Sequence, residues 1–216
     1  MEIKEQDFSR MRAQMVDILR SEYRIKNQAI LNAMGRVRRH VFVPEKTGVG
    51  CNPYGDYPCP IGHGQTISQP FIVAHMIELM NLNAGDKVLE VGTGSGYQAA
   101  VLSALGVEVF GVEIIPELTK HARHVLDAEG YGRVKLLTGD GYKGWVKHAP
   151  YDAIIVACGP EEIPDELTRQ LKDGGRIILP IGVDVQQLIV VRKRGRELSR
   201  ENDIMVRFVP MVHGIG

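Results

Sequence analysis

The sequence predicts an α/β fold with a mainly parallel, doubly wound sheet. From residue 87 onward, apolar β-type runs alternate with helical patterns, and the first of these runs ends in a glycine-rich turn. Such alternation gives parallel strands with helices on both faces, joined by right-handed crossovers. Two strand-like runs near the C-terminus flank Arg194-Gly195-Arg196, which is typical of an antiparallel hairpin. We therefore expect a parallel core, a C-terminal antiparallel hairpin at the sheet edge and an N-terminal helical cap.

Two helices are predicted at the N-terminus. The first is marked by apolar residues at helical spacing, and the second covers residues 27–34 and stops at Gly35. The apolar positions of the first helix are Phe8, Met11, Met15, Ile18 and Leu19. A basic cluster follows, which we interpret as a solvated face beside a buried apolar strand at residues 41–44. The members of this cluster are Arg36, Arg38, Arg39 and His40.

Residues 47–70 form an irregular segment that is rich in glycine and proline. A long irregular segment inside a compact domain is usually either functional or disordered. This one carries aromatic and apolar residues, including Tyr54, Tyr57 and Ile61, which favours an ordered and functional segment. A helix is expected from about Pro70, because proline suits the first turn of a helix. One face of that helix carries Val73, Met76, Ile77 and Met80.

Three cysteines occur, and an odd, sparse count does not describe a disulfide framework. Cys51 and Cys59 share the irregular segment and could approach each other, but the count favours reduced thiols there and at Cys158. No histidine pair joins them at the spacing of a zinc site. His121 and His124 lie three apart on a predicted helix, where exposed histidines are common. We therefore expect no metal.

The core elements follow the alternation of β-type and helical patterns. Parallel strands are predicted at 87–91, 107–112, 134–138, 151–156 and 176–179. Helices are predicted at 97–105, 116–129 and 165–171, and the hairpin strands at 187–192 and 204–208.

The first core strand runs into Gly92-Thr93-Gly94-Ser95-Gly96, and a helix follows. This order lets a ligand approach the main chain closely. The pattern is G-x-G-x-G, whereas dinucleotide binders carry G-x-G-x-x-G. Glu113 ends the next strand, where a carboxylate suits the two hydroxyls of an adenosine ribose. Glu90 stands just before the turn, close to where a cationic ligand group could lie. An adenosine with a cationic tail and no pyrophosphate describes S-adenosylmethionine.

Each of these positions also has a structural explanation. Glycine-rich turns occur without ligands, and Glu90 could be a buried carboxylate that braces the turn. Asp140, between Gly139 and Gly141, could be a turn residue. Its place after the third strand, at the carboxyl edge where such sheets bind ligands, favours a contact with adenine.

Composition argues against several classes of function. Lys plus Arg and Asp plus Glu are 26 each, so a neutral chain gives no reason to expect a nucleic acid or an anionic membrane as partner. No apolar run approaches the ~20 residues that span a bilayer. The charge-dense N-terminus lacks a signal-peptide core. We expect a cytoplasmic monomer with one domain over 1–216, in which residues 1–69 form the helices and substrate-covering segment and residues 70–216 bind the cofactor.

One run is more specific than the glycine turn. Residues 61–70, Ile-Gly-His-Gly-Gln-Thr-Ile-Ser-Gln-Pro, followed by that turn, closely resemble the protein-L-isoaspartate O-methyltransferase family. The resemblance extends from about residue 36 to the C-terminus. It includes Phe42-Val43-Pro44, Gly139-Asp140-Gly141, the strand at 151–156, residues 171–182 and Phe208-Val209-Pro210. The chain departs from the family's pattern at Tyr142-Lys143 and Ala157-Cys158-Gly159.

The resemblance implies a Rossmann-like, S-adenosylmethionine-dependent methyltransferase whose last strands have an unusual order. It also implies methylation of the free carboxylate of isoaspartyl residues in damaged proteins, which would be the chain's partners. Ser68 would be the active-site serine, and Gln65, Thr66 and Ile67 would line the same substrate cleft. Glu90 and the turn at Gly92, Thr93, Gly94 and Gly96 would hold the cofactor. Glu113 would bind the ribose, and Asp140 and Gly141 would contact the adenine.

Other interpretations remain open for Ser68 and for the activity. A carboxylate acceptor is already ionised at neutral pH, so Ser68 would orient it by a hydrogen bond and not act as a nucleophile. Alternatively, Ser68 could cap the helix that starts near Pro70. The chain could also methylate RNA or a small molecule, although an RNA enzyme should show a basic face. A non-catalytic module that binds S-adenosylmethionine or damaged peptide is a third alternative.

Overall fold

The computed structural model describes residues 4–44 and 50–214. Helix α1 covers Glu5–Ser21 and helix α2 covers Gln28–Arg36, so both predicted N-terminal helices are present. The Asn27 side chain caps α2, since its oxygen accepts hydrogen bonds from the backbone N–H groups of Ala29 and Ile30. The apolar faces of both helices join the main core of the molecule.

The irregular segment is ordered wherever the structure describes it, and positions 47–49 of the prediction lie outside the described residues. It contains a short antiparallel pair, β1 at Cys59–Gly62 and β2 at Gln65–Ile67. Helix α3 follows at Pro70–Met80, with proline in its first turn. The four apolar residues predicted to share a face of α3 are all buried.

A seven-stranded sheet forms the centre of the molecule. In chain order its elements are β3 (Lys87–Val91), α4 (Tyr97–Ala104), β4 (Glu108–Glu113), α5 (Pro116–Ala128), β5 (Lys135–Thr138), β6 (Tyr151–Val156), α6 (Asp165–Gln170), β7 (Leu171–Ile181), β8 (Gln186–Arg194) and β9 (Glu197–Val206). The spatial order is β5-β4-β3-β6-β7-β8-β9. The first five of these strands are parallel, and β8 and β9 continue as an antiparallel meander. The predicted mainly parallel sheet with a C-terminal hairpin is therefore confirmed.

Both faces of the sheet are covered, as the doubly wound prediction requires. Along β3, Val88 packs with α1 to α5 on one face, while Leu89 and Val91 pack with α6 on the other. Strands buried on both faces read as continuous apolar runs, which is why their positions were recognisable in the sequence. β7 and β9 begin earlier than predicted, at Leu171 and Glu197. In β9, pairing with β8 keeps the mostly polar residues 197–202 in a strand, and side-chain periodicity does not report such pairing. In β7, Leu171 pairs with Tyr151, and the register shifts before pairing resumes at Arg176.

Two predictions for the N-terminal third are wrong. Residues Arg39–Phe42 form a 3₁₀ turn and not a strand. Arg39 is fully buried, whereas Arg36 and Arg38 are exposed as expected. Cys51 and Cys59 are joined by a disulfide bond, so the expectation of reduced thiols is also wrong for this pair. Cys158 is a free thiol.

None of the helices within the described ranges combines the length and the apolar character needed to cross a membrane. The same ranges contain no group of three His, Cys, Asp or Glu side chains arranged to hold a metal ion.

Candidate active site

The glycine turn lies at the carboxyl end of β3, beside β4 and β6. Gly92, Gly94 and Gly96 all have positive φ, at 84°, 53° and 88°, in a backbone region that other residues rarely adopt. The Gly92 N–H donates to the carbonyl of Val112 at 2.8 Å, so the start of the turn is tied to β4. In open α/β sheets, ligands bind in the crevice at this edge.

Glu113 braces the turn from the end of β4. Its Oε2 accepts a hydrogen bond from the Gly94 N–H at 2.8 Å, and its Oε1 accepts one from the Ile115 N–H at 3.0 Å. The carboxylate is buried and lines a cavity of about 180 Å³. Each oxygen has a further lone pair for a ligand hydroxyl, so bracing the turn and binding a ribose are compatible.

Glu90 is fully buried on β3. Neither carboxylate oxygen has a hydrogen-bond partner of good geometry among the described residues. Burial raises the pKa of Glu90 to about 8, although nearby Thr93 and Gln98 favour the charged form and lower it. The side chain lines an inner cavity of about 40 Å³ together with Gly92, Thr93 and Gly94. A buried carboxylate without a partner is costly, and a cationic ligand group in this cavity would relieve that cost. The observed residues therefore fit the sulfonium and ammonium of S-adenosylmethionine.

The 180 Å³ cavity is lined mainly by apolar groups from the ends of β3 and β4 and from the C-terminal segment. Val91, Val112, Ile115, Gly141 and Met211 contribute to it, as an adenosine would require. Cys158 also borders this cavity, and burial raises the pKa of its thiol to about 12. The thiol is therefore neutral near pH 7 and is not a nucleophile.

A third cavity, an outer groove of about 390 Å³, is lined by residues of the irregular segment, of β9 and of the stretch that follows β9. Its lining includes Ser68, Ile72, Arg207 and Phe208. Thr66 and Ala157 line all three cavities, and Ser68 lines both the outer groove and the inner cavity. The three cavities therefore meet at Thr66 and Ala157, and Ser68 lies on the border between the outer groove and the inner cavity.

Ser68 does not cap α3. The cap position is Gln69, and its side chain forms no capping hydrogen bond. Instead, Asp56 accepts a hydrogen bond from the Phe71 N–H at 3.1 Å through Oδ1 and one from Gln69 Nε2 at 2.7 Å through Oδ2. The capping alternative for Ser68 thus loses its geometric basis, because another side chain performs that task.

The remaining predicted site residues are divided between the cavities and the surrounding packing. Ile67 lines the inner cavity, and Gln65 lines the 180 Å³ cavity and not the outer groove. Gly96 lines none of the three; a Cβ there would come within 3.2 Å of Ala122, so helix packing accounts for this glycine. Asp140 likewise lines none of them.

The Asp140 carboxylate takes part in local structure. Its Oδ1 accepts a hydrogen bond from the Tyr142 N–H at 2.9 Å, and its Oδ2 lies 3.5 Å from the His213 ring nitrogen. The turn-residue interpretation therefore describes its side chain, while the neighbouring Gly141 reaches the cavity.

Two contributors to the site were not predicted from the sequence. Asp56 holds the start of α3, and the stretch around Pro210 closes the 180 Å³ cavity. Backbone hydrogen bonds link Gly159 to Val209 and Met211 on either side of Pro210. Neither contact leaves a periodic signal, because each joins residues far apart in the chain.

Comparison with known proteins agrees with this geometry. Residues 10–216 match the family model described as "Protein-L-isoaspartate(D-aspartate) O-methyltransferase". The chain belongs to this family. Its members are S-adenosylmethionine-dependent protein carboxyl methyltransferases that repair isoaspartyl residues. Both the fold and the cofactor expected from the sequence are thereby confirmed.

Similar sequences cover most of the chain. A Gloeobacter violaceus protein-L-isoaspartate O-methyltransferase is 50% identical over 87% of this chain and 91% of its own length. The Dictyoglomus thermophilum protein of the same name is 47% identical over 95% and 92%. Among solved structures, a protein-L-isoaspartate O-methyltransferase superposes with a TM-score of 0.85 at 29% identity, over 95% of this chain and 67% of its own.

A Plasmodium falciparum protein solved with S-adenosyl-L-homocysteine has a TM-score of 0.81. It covers 93% of this chain and 98% of its own at 24% identity, which supports the fold alone.

Proposed function

We propose that this chain transfers the methyl group of S-adenosylmethionine to the free carboxylate of isoaspartyl residues in damaged proteins, with Ser68 orienting that carboxylate. The observation that carries this proposal is the convergence of the three cavities at Thr66 and Ala157, with Ser68 on the border between the outer groove and the inner cavity. A peptide in the outer groove would meet the inner cavity only at this point.

In this proposal, residues of the glycine turn and the two strand ends hold the cofactor. Glu113 takes the ribose hydroxyls and Glu90 faces the cationic tail. Gly92, Thr93, Gly94 and Gly141 provide close approach of the main chain and cavity walls. When bound, S-adenosylmethionine supplies a methyl group activated by a sulfonium. Gly96 and the Asp140 carboxylate are left out of the direct contacts, since both serve packing and turn geometry.

The reaction asks little of acid–base catalysis. An isoaspartyl carboxylate has a pKa near ~4 and is already a nucleophilic anion at neutral pH. The Ser68 hydroxyl donates a hydrogen bond to one carboxylate oxygen and leaves the other free for transfer. Placing the reacting atoms in line with water excluded can lower the barrier by up to ~7–11 kcal/mol. The half-buried position of Ser68, on the lining of the inner cavity beside Glu90 and the glycine turn, supports this role.

Selectivity for isoaspartate follows from the shape of the substrate chain. In an isoaspartyl residue the main chain runs through the side-chain carbonyl, so the free carboxylate lies one methylene closer to the backbone. A groove that holds the flanking chain extended would bring only this carboxylate to Ser68. Thr66, on β2 beside that point, would form part of the wall against which the chain lies, and Ile67 would line the inner cavity behind it.

Two measurements test the assignment. Wild-type enzyme should methylate an isoaspartyl peptide and not its aspartyl twin, and equal rates on both would overturn the substrate. Ser68→Ala should lower kcat/KM by about 10–150-fold, the equivalent of ~1.5–3 kcal/mol for one hydrogen bond to a charged group. Its melting temperature should stay within a degree or two of wild type, because Asp56 supplies the helix contact. A lower melting temperature with normal turnover would restore the capping role.

We also propose that the chain forms one domain and is a monomer. A single domain over residues 1–216 is supported by the apolar core that α1, α2 and α3 share with the sheet. It predicts one cooperative unfolding transition. The monomeric state is tested by light scattering on the purified enzyme.

A cytoplasmic location is also part of the proposal, although disulfides are uncommon in reducing compartments. Alkylation of thiols in freshly lysed cells, followed by mass analysis of Cys51, would report the compartment. An alkylated Cys51 agrees with a reducing location, and a protected one does not.

A further inference from the structure

Arg39 is a fully buried cation that methyl transfer, as proposed, does not use. Its Nε donates a hydrogen bond to the Pro53 carbonyl at 2.6 Å, and its Nη2 donates one to the Ser68 carbonyl at 2.8 Å. The guanidinium also lies over the Tyr97 ring, 4.8 Å from its centroid. Burying an arginine costs desolvation free energy, which specific contacts of the guanidinium must offset. Here the contacts are two backbone carbonyls and an aromatic face.

The two carbonyls belong to different walls of the site. Pro53 lies in the loop closed by the Cys51–Cys59 disulfide, which also contributes Pro58 to the outer groove. Ser68 lies at the junction of β2 and α3, on the border between the groove and the inner cavity. A guanidinium is a rigid planar fork, so binding both carbonyls sets the distance between the two walls. The rest of the junction is held by Asp56, which contacts Gln69 and Phe71 but not Ser68.

We propose that Arg39 is a positioning residue for methyl transfer, which holds the Ser68 backbone so that the serine hydroxyl meets the acceptor carboxylate. This inference rests on the proposed role of Ser68. A hydrogen bond directs the acceptor only if the donor is held to within a fraction of an ångström, because small misplacements cost large factors in rate. Ser68 stands at a strand–helix junction, one residue before the cap position of α3, so the hydrogen bond to its carbonyl helps to fix its position.

Arg39→Lys and Arg39→Gln test the inference. Lysine keeps the charge as a single point, and glutamine keeps a neutral donor; neither reproduces the fork that binds two carbonyls. Each variant should bind S-adenosyl-L-homocysteine within about twofold of wild type by calorimetry, because Arg39 itself lines neither cofactor cavity. The kcat on isoaspartyl peptide should fall about ten- to a hundredfold. A merely structural role would instead lower the melting temperature and cofactor affinity together, with normal turnover per cofactor-bound molecule.

The adjacent arginine provides a matched control. Arg38 also makes two hydrogen bonds, through Nε and Nη2 to the Glu129 carboxylate, but its side chain is 44% exposed and borders none of the three cavities. Arg38→Lys and Arg38→Gln should therefore leave kcat within about twofold of wild type. An equal loss in the Arg38 and Arg39 variants would overturn the positioning role.

A double-mutant cycle separates this inference from the role of Ser68 itself. If Arg39 acts through the serine, Arg39→Lys should have almost no further effect on kcat in the Ser68→Ala background. Fully additive losses would overturn the inference and leave the serine's role intact. Normal turnover of Ser68→Ala alone would remove the serine's role, and the inference with it. If neither Arg39 variant retains cofactor binding, Arg39 serves folding as a whole and the inference is also overturned.

Discussion

The cofactor side and the substrate side of the site are held together by different means. On the cofactor side, Glu113 and the glycine turn contact each other through backbone N–H groups at the ends of adjacent parallel strands. On the substrate side, the irregular segment is held by side chains from the N-terminal cap. Tyr54 is buried there, and its hydroxyl oxygen lies 2.8 Å from His40 Nδ1 and accepts a hydrogen bond from Arg12 at 3.3 Å. The first arrangement belongs to the sheet; the second depends on elements that dock against it.

This difference implies that substitutions can impair cofactor binding and peptide turnover separately. Changes at the strand ends should weaken cofactor binding first. Changes in the irregular segment or in the side chains that anchor it should affect peptide binding and turnover first. Substitutions on each side therefore test whether cofactor binding changes independently of peptide binding and turnover.

Glu113→Ala should be the most damaging of these changes. It removes the proposed ribose contact, and it leaves the N–H groups of Gly94 and Ile115 without their acceptor. Loss of hydrogen bonds to a charged group should weaken cofactor binding by about 3 kcal/mol, or more than a hundredfold in Kd by calorimetry. Glu117→Ala, an exposed acid at the start of α5, is the control and should bind normally. Unchanged affinity in Glu113→Ala would remove the carboxylate from the cofactor site.

A pH dependence is expected from Glu90, whose pKa is raised from 4.5 to about 8 by burial. A cationic cofactor favours the ionised carboxylate, so binding should lower this pKa and affinity should rise from pH 6 to pH 8. The slope is at most tenfold per pH unit for one proton released. Calorimetry at several pH values measures it, and Glu90→Gln should make the profile flat. A profile equally steep in Glu90→Gln would assign the proton to another group.

The same pKa shift predicts how the cofactor-free enzyme unfolds. Between pH 4.5 and 8 the native state holds a proton that the unfolded chain has released, so the free energy of unfolding falls as pH rises through this range. Glu90→Gln should remove that fall and melt higher than wild type at pH 8. Each kcal/mol recovered corresponds to about 2–4 °C for a chain of this size.

On the substrate side, opening the disulfide should weaken the irregular segment. Closure of a short loop by a bond such as Cys51–Cys59 contributes about 2–3 kcal/mol in the chain-entropy account. Cys51→Ala should lower the free energy of unfolding by about this amount and raise KM for peptide more than Kd for cofactor. Reductant should have the same effect on wild type and none on Cys51→Ala. Equal sensitivity of that variant to reductant would mean that the bond is not responsible.

Asp140→Ala should be the mildest change. The carboxylate accepts the Tyr142 N–H in a local turn, and loss of such a cap costs about 1 kcal/mol of stability. Cofactor affinity should change by less than about threefold, because the side chain lines neither cofactor cavity. Weakening beyond tenfold would show that the carboxylate reaches the adenine, as the family resemblance implies, and would correct the boundary of the cofactor side.

The sequence was most informative where chemistry and periodicity are local. Strands such as Lys87–Val91 and Tyr151–Val156 were predicted at their observed bounds, because strands buried on both faces are mostly apolar. The glycine turn and Glu113 were recognisable from spacing alone, since the end of a parallel strand places its last residues at the ligand-binding edge. The run at 61–70 carries the resemblance to the family, and its Ser68 lies on the border between the outer groove and the inner cavity.

Other features depended on segments that are distant in the chain. Arg39 belongs to a basic cluster in the sequence and becomes buried only because the irregular segment folds over it. Cys51 and Cys59 form a disulfide because the loop between them returns on itself. The same loop reaches the start of α3, where Asp56 and not Ser68 accepts the hydrogen bond from the Phe71 N–H. Periodicity reports which side of an element is buried and not which residue of another segment it meets. The sheet, the glycine turn and the position of Glu113 could therefore be predicted from the amino-acid sequence, whereas the contacts that hold the irregular segment are decided by the tertiary structure.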